Sequence, residues 1–308
     1  MIQASKSNIT RFKKFAIPYI VWLAIFVVIP LVLLIIVAFS SMEKSISFVN
    51  YRPALYHIKD AFSNANCDAF LNSLLYSLIT TVGCILIGYP VAYIVSMSKL
   101  KNKYLMILLI IFPMWICMVL RLKILNYMFS GMFESVLRIP LNISGTTGAV
   151  ILVMVIMYLP FMILPIFTQL EKIDRSLFEA SADLGATPVK TFTKVTLPLS
   201  LKGIISGIIM VFLPCATGFA IPQIIGNGNV ELIGNYIERY FVSGGASQYN
   251  VGAIVSLVII VAVIGSLFFI FKTDPEGDTL IWWKITSYQF QVKLKQKEEL
   301  KRQFQLSI

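Results

Sequence analysis

The stretch from Glu171 to Pro198 holds the most informative pattern in the sequence, and what it suits is docking. Ser176 and Glu179 stand at S-x-x-E spacing. The serine can cap a helical amide while the glutamate returns to the amide of the cap, which predicts a helix from Leu177. Gly185 suits the left-handed residue that closes such a helix. Thr187 and Pro188 supply a second cap and a proline at the first helical position, and Pro198 is expected to stop the second helix. Helix, glycine corner and helix make a compact knob. Its Leu177, Phe178, Ala182, Val189 and Phe192 are too many apolar side chains for a solvated loop, and as a set they point to a surface that meets another protein.

Catalysis has no comparable constellation. Cys67, Cys84, Cys117 and Cys215 are far apart with no CxxC pairing, and His57 is the single histidine, so no Cys/His metal site is expected. The chain carries no GxxxxGK[ST] phosphate loop, dinucleotide fingerprint, HExxH or GxSxG. We therefore expect no catalytic residue, no metal and no cofactor, and any energy source must come from elsewhere.

Membrane helices are expected to carry the knob. Of the 308 residues, 57% are hydrophobic and 13% charged, against about 25% charged in soluble proteins. Charge-free runs occupy residues 15–42, 69–98, 104–120, 139–170, 203–230 and 240–271. A hydrocarbon core of roughly 30 Å takes about 20 apolar residues as a helix, so six transmembrane helices are predicted, the third being the shortest. The first run is close to double a signal-peptide core of about 7 to 15 residues, and reads as a retained helix. None of the runs contains an acidic residue of the kind that proton- or sodium-driven pumps use.

Orientation follows from the basic residues. Lys and Arg number 26 against 15 Asp and Glu, and counting them on alternate sides of six helices gives 19 on one side and 7 on the other. Both termini are expected to be cytoplasmic. Topology and anionic lipid explain the net charge of +11 without nucleic acid as a partner. The organisation predicted is an N-tail over 1–14, one membrane domain over 15–272 with the knob at about 171–202, and a C-tail over 273–308.

Several spans are interrupted, at Pro30, Gly88, Pro90, Pro113, Pro160 and Pro165 among others. The fifth carries Gly203, Gly207, Pro214, Gly218 and Pro222. It is either a bent helix in which Gly203-x-x-x-Gly207 admits a close neighbour, or an irregular segment lining a pathway. Outside the spans, residues 42–72 are long enough for a short interfacial helix. Gly226-Asn227-Gly228-Asn229 is expected to be a flexible turn that lets Glu231 and Glu238 fold back, and Arg121 and Lys123 to snorkel at the outer interface. In the C-tail, Trp282-Trp283 could anchor at an interface and 293–303 reads as a charged helix.

Glu179-Ala180-Ser181, three residues, Gly185, nine residues and then Val195-x-Leu197-Pro198 resemble the EAA loop of bacterial ABC importer permeases, EAA-x3-G-x9-I-x-L-P, with Ser181 and Val195 as the two departures. The likeness extends over about residues 15–270. Asn72-Ser73-Leu74, the stretch from Gly88-Tyr89-Pro90 to Tyr93, Phe112-Pro113-Met114-Trp115 through to Arg121, Leu159-Pro160-Phe161-Met162 and Leu232-Ile233-Gly234-Asn235-Tyr236-Ile237 resemble the spermidine/putrescine (PotB-like) branch. The resemblance implies an all-α integral membrane protein of the MetI-like permease fold, with six transmembrane helices and a cytoplasmic coupling loop between the fourth and fifth. It also implies partners: a cytoplasmic ABC ATPase dimer whose groove receives the loop, a second related permease in a heterodimer, an extracytoplasmic polyamine-binding protein and the bilayer of a bacterial cytoplasmic membrane. No covalent chemistry falls to this chain.

If the cargo is a polyamine, the pathway needs aromatic faces and a few carboxylates, since a cation over a ring gains about 0.5 to 2 kcal/mol. Trp115, Phe219, Gln223, Glu231 and Glu238 are the candidates. Phe219 matches an aromatic of PotB-like permeases. Gln223 stands where the resemblance would put an acidic residue, so either the charge moves to Glu238 or the cargo is another small solute such as an amino acid, sulfate, an iron chelate or a phosphonate. A stand-alone channel would need no ATPase at all.

Overall fold

The computed structural model describes residues 18–40, 57–98, 101–132, 143–244 and 246–273. The N-tail basic cluster, Lys44 and Arg52, Arg138, and the C-tail with Trp282-Trp283 and 293–303 lie outside the described residues. The described residues form helices: α1 (Pro18–Ala38), α2 (His57–Ala61), α3 (Asn64–Met97), α4 (Lys103–Ile111), α5 (Met118–Tyr127), α6 (Thr147–Leu170), α7 (Ser176–Asp183), α8 (Pro188–Thr217), α9 (Ala220–Ile225), α10 (Ile233–Val242) and α11 (Ala246–Thr273). Long apolar helices α1, α3, α6, α8 and α11 each suffice to cross a hydrocarbon core.

The third span departs from the simple helix expected over 104–120. It is a pair of helical segments, Lys103–Trp115 and Met118–Gly131, bent by 87°. Pro113 opens a tight 3-10 turn over Phe112–Trp115, and Ile116 is then extended at φ −76°, ψ 139°, so the helical path breaks there. Arg121 and Lys123 lie inside α5, beyond the bend. Counting charges made them the end of a span, whereas the chain makes them part of a second helical arm. Among the described residues, the helices long and apolar enough to cross a membrane number six with the bent pair counted as one.

Two other boundaries move. The fifth span was expected from residue 203, but α8 runs without interruption from Pro188 to Thr217 and therefore continues the second helix of the knob. Pro198 does not stop it. A π turn over Phe192–Thr196 precedes the proline, with the Leu197 amide donating to the Phe192 carbonyl. The wider turn relieves the clash between a proline ring and the carbonyl four residues before it. The same device appears in α1, where a π turn over Ala24–Val28 precedes Pro30. At the other end, Tyr240 to Val242 close α10 instead of opening the sixth span.

The chain gathers into two compact units. One comprises the described residues up to Ser77, within Leu122–Val153 and within Cys215–Ala262. In it Asn66 Nδ2 donates to the carbonyls of Asp60 (3.3 Å) and Ala61 (3.1 Å), closing α2 over the start of α3, while Asn66 Oδ1 accepts from Tyr240 OH at 3.0 Å. The interfacial helix expected in 42–72 corresponds, among described residues, to α2. The Ile233 amide donates to Ser73 Oγ at 2.9 Å, so the first turn of α10 finds its acceptor on α3.

The other unit comprises the described residues within Leu78–Arg121, Met154–Pro214 and from Val263 to Thr273. Its core is aliphatic: Met162, Ile163, Ile166 and Leu170 of α6 are fully buried. A Cβ on Gly203 would lie 2.8 Å from the Pro165 carbonyl oxygen, and one on Gly207 2.5 Å from Met162 Sδ. The Gly203-x-x-x-Gly207 pair is therefore a close-approach face, and its neighbour is α6. Tyr89 OH and Ser200 Oγ, 2.9 Å apart, add a buried polar link between α3 and α8.

Candidate functional site: the helix–corner–helix knob and the aromatic and acidic residues

The knob forms as expected at its corner and differs at its start. The Asp174 carboxylate accepts the Ser176 amide at 3.0 Å, and the Leu177 amide donates to the Asp174 carbonyl. Asp174 thus supplies the capping oxygen in place of Ser176, Arg175 stands directly before the helix, and α7 begins at Ser176 instead of Leu177. Gly185 takes φ +73°. Its amide donates to the Ala182 carbonyl (2.9 Å) and that of Ala186 to Ser181 (3.0 Å), the paired bonds that close a helix on a left-handed glycine. Thr187 Oγ1 accepts the Lys190 amide at 3.4 Å, with Pro188 in the first turn.

Ser181 has a further task. Its Oγ lies 2.8 Å from the Phe178 carbonyl and 2.9 Å from Thr191 Oγ1. A hydroxyl has one proton, spent on the carbonyl, so Thr191 donates to Ser181. The pair ties α7 to α8 across the corner.

Glu179 and Ala180 are exposed on α7, while Val195, Leu197 and Pro198 are half-buried in and after the π turn. Phe192 belongs to the support of the knob: its ring meets Tyr89 and Tyr93 edge-on, with centroids 5.8 and 5.4 Å away. Ala182 is exposed, Phe178 half-buried, and the large apolar side chains of the knob turned to solvent are Leu177, Val189 and Leu184, the last 85% exposed. Sequence reasoning passed over Leu184. An apolar residue just before a corner glycine is the signal that could have found it.

The pathway candidates are divided between the two units. In the second unit, Trp115 is 74% exposed at the end of the 3-10 turn, directly before the 87° bend. In the first unit, Phe219 sits at the break between α8 and α9, its ring half-exposed and its carbonyl accepting Asn235 Nδ2 at 3.0 Å. Gln223 is exposed on α9 and Glu238 is half-buried on α10.

Glu231 is already engaged. It pairs with the Arg239 guanidinium, which also lies 5.2 Å from the Tyr236 ring centroid. Burial, and next the Glu231 carboxylate, push the Tyr236 phenol above its ordinary pKa. The turn before Glu231 is held rather than loose. Asn227 Nδ2 donates to Ser144 Oγ at 2.8 Å, and the Gly145 amide donates to the Ile225 carbonyl at 2.8 Å. Among the described residues no cluster of three or more His, Cys, Asp or Glu could hold a metal ion.

Residues 14–273 match the family described as binding-protein-dependent transport system inner membrane component. The chain is 33% identical over 265 residues to the spermidine/putrescine transport system permease protein PotB of Haemophilus influenzae, covering 82% of this chain and 92% of that protein. It is 30% identical over 254 residues to the protein of the same name in Escherichia coli K12, covering 78% and 92%. Among solved structures, it resembles a bacterial ABC transporter that imports the acidic polysaccharide alginate, with TM-score 0.65, 17% identity and coverage of 88% of this chain and 98% of the matched one. It also resembles the MetNI methionine ABC transporter in inward-facing conformations, with TM-score 0.53, 18% identity and coverage of 67% and 93%. At these identities the likeness shows the fold, and the all-helical MetI-like permease expectation is met.

Proposed function

The chain belongs to the family of binding-protein-dependent transport system inner membrane components, and from that premise we propose that it lines the translocation pathway of an ATP-binding-cassette importer for polyamines. It is a membrane transport subunit rather than an enzyme. Relatives named for spermidine/putrescine transport, matched along most of their length, support the substrate class.

The observation that carries the coupling role is the knob. The short α7 and the start of α8 meet at Gly185 and turn Leu184 and Val189 outward, 85% and 71% exposed. Apolar side chains on a capped, braced projection suit a groove in another protein. The partner in this reading is a cytoplasmic ATPase dimer, with Glu179, Ala180, Ser181, Gly185, Val195, Leu197 and Pro198 as the coupling loop. A second, related permease supplies the other half of the pathway, and a polyamine-binding protein delivers cargo from outside. The excess of Lys and Arg on the knob side supports cytoplasmic termini. The N-tail over 1–14, the permease domain over 15–272 and the C-tail over 273–308 remain the domain organisation in this reading.

Transport then runs on differential affinity. The ATPase dimer binds ATP more tightly when closed, and closure draws the coupling loops together. The outward-open arrangement, favoured by the loaded receptor, gains population as a result. Within the pathway, Trp115 and Phe219 would offer aromatic faces to an alkylammonium. Glu238 is the carboxylate proposed to face the cargo.

The test is ATP hydrolysis by the full complex reconstituted in lipid, with receptor protein loaded with spermidine, putrescine or an amino acid. Stimulation by polyamine-loaded receptor alone is expected. Stimulation by a different receptor alone would assign another small solute, the reading that the amide of Gln223 favours. No association with an ATPase would remove the importer reading.

A further inference from the structure

Three helix ends share one carboxylate. Glu171 follows the last residue of α6, and its Oε1 accepts Ser96 Oγ, near the end of α3, at 3.0 Å. Its Oε2 lies 2.5 Å from Lys103 Nζ, at the start of α4, and accepts Tyr104 OH at 3.3 Å. The Lys103 and Glu171 side chains are 19% and 16% exposed. Tyr104 is fixed in turn by Phe167, edge-on at 6.1 Å, and by the Lys103 ammonium, 5.6 Å from its ring centroid.

The cluster adjoins the knob. A cavity of about 90 Å³ is lined by Ser96, Lys103 and Glu171 together with Ile173, Arg175 and Phe178. Phe178 belongs to α7, and Arg175 lies directly before it. A displacement of α7 therefore reaches this cavity directly, through Arg175 and Phe178.

An ionised carboxylate accepts from all three donors at once, and its charge is what makes those bonds strong. Half-buried charge pairs resist the loss of one partner, because the other is left uncompensated. Such a joint is made or broken rather than stretched, which is what a two-state device requires.

We propose that Glu171 is a positioning residue that transmits movement of the coupling helices to α3 and α4, holding the three helix ends as one body while the knob is engaged. The proposal rests on the importer reading above. A structural pin alone would set how much complex assembles, whereas a transmitting joint sets how much cargo moves per ATP.

The experiment measures uptake and ATP hydrolysis together in proteoliposomes holding the full complex, with spermidine-loaded receptor as the probe and co-purified ATPase as the gauge of assembly. Glu171→Gln keeps the shape and removes the charge. The expected result is an assembled complex whose uptake per ATP falls about tenfold, with part of the ratio restored by Lys103→Glu combined with Glu171→Lys. A wild-type ratio in assembled Glu171→Gln would overturn the proposal.

Should Glu171→Gln fail to assemble, Ser96→Ala and Tyr104→Phe each remove one neutral donor and leave the ion pair. A ratio lowered about two- to threefold in either supports the proposal, and wild-type ratios in both overturn it. If the wild-type complex hydrolyses no ATP in response to any loaded receptor, the importer reading falls first and the proposal falls with it.

Discussion

The hydroxyls of Ser181 and Thr191 stand 2.9 Å apart and join the two helices of the knob across its glycine corner. Ser181 occupies a position where the EAA pattern has alanine, so this chain adds a polar brace where the pattern has none. Removing either hydroxyl should loosen the corner by about 1 kcal/mol, the net worth of one such bond. Ser181→Ala and Thr191→Val should each lower receptor-stimulated ATP hydrolysis by about two- to fivefold. The double variant should be no worse than the more affected single one, because both remove the same bond. Strictly additive losses would show that the hydroxyls act separately.

Gly185 should tolerate no side chain without loss of coupling. At φ +73° a Cβ costs about 1 to 2 kcal/mol, although nothing crowds the site itself. Gly185→Ala should insert into membranes at normal levels and co-purify with less ATPase, and Gly185→Pro should abolish coupled hydrolysis. Equal ATPase recovery for glycine and alanine would show that the corner is not needed for docking.

The glycine pair on α8 tests packing instead. Gly203 faces the Pro165 carbonyl, which cannot move aside, whereas Gly207 faces the flexible end of Met162. Gly203→Leu should lower thermal stability in detergent more than Gly207→Leu, each within about 1 to 3 kcal/mol. The opposite ranking in a melting series would contradict the placement of α6 against α8.

Two carboxylates on the first unit should separate by role. Glu231 holds Arg239, so Glu231→Gln should disturb the local fold and leave the KM for polyamine near wild type. Glu238→Gln should raise KM several-fold, about 1 kcal/mol of lost cation binding, with assembly unchanged. Unaltered uptake kinetics in Glu238→Gln would remove it from the pathway.

Docking should depend on exposed apolar surface. Leu184→Ser and Val189→Ser take away the two most exposed large apolar side chains of the knob, and Glu179→Lys reverses an exposed charge on α7. Each should weaken recovery of the ATPase, with the double serine variant reducing it about tenfold. Full recovery would place the docking surface elsewhere.

What could be read in the sequence was what is local. Gly185 and Thr187-Pro188 specify their own backbone, and the structure has them as expected. The choice between Asp174 and Ser176 as cap was not local: both offer an oxygen at workable spacing, and the path of the chain leaving α6 decides for the aspartate. Phe192 looked like part of the docking face because its neighbours Tyr89 and Tyr93 lie about a hundred residues away in sequence. Among the pathway residues, Glu231 read as a loop charge until the turn at Asn227 and the first two turns of α10 brought Arg239 to it. The Glu171 cluster was invisible for the same reason, since its donors come from two other helices.

The π turn before Pro198 also sets a phase. One extra residue in a helical turn rotates everything beyond it by about 100° about the helix axis. The face that α8 shows to α6, with Gly203 and Gly207 on it, is therefore aimed by a turn lying N-terminal to both, between the knob and the span. Taking a single residue out of Phe192–Thr196 would keep composition and hydropathy almost unchanged and yet point a different side of the span at its neighbour.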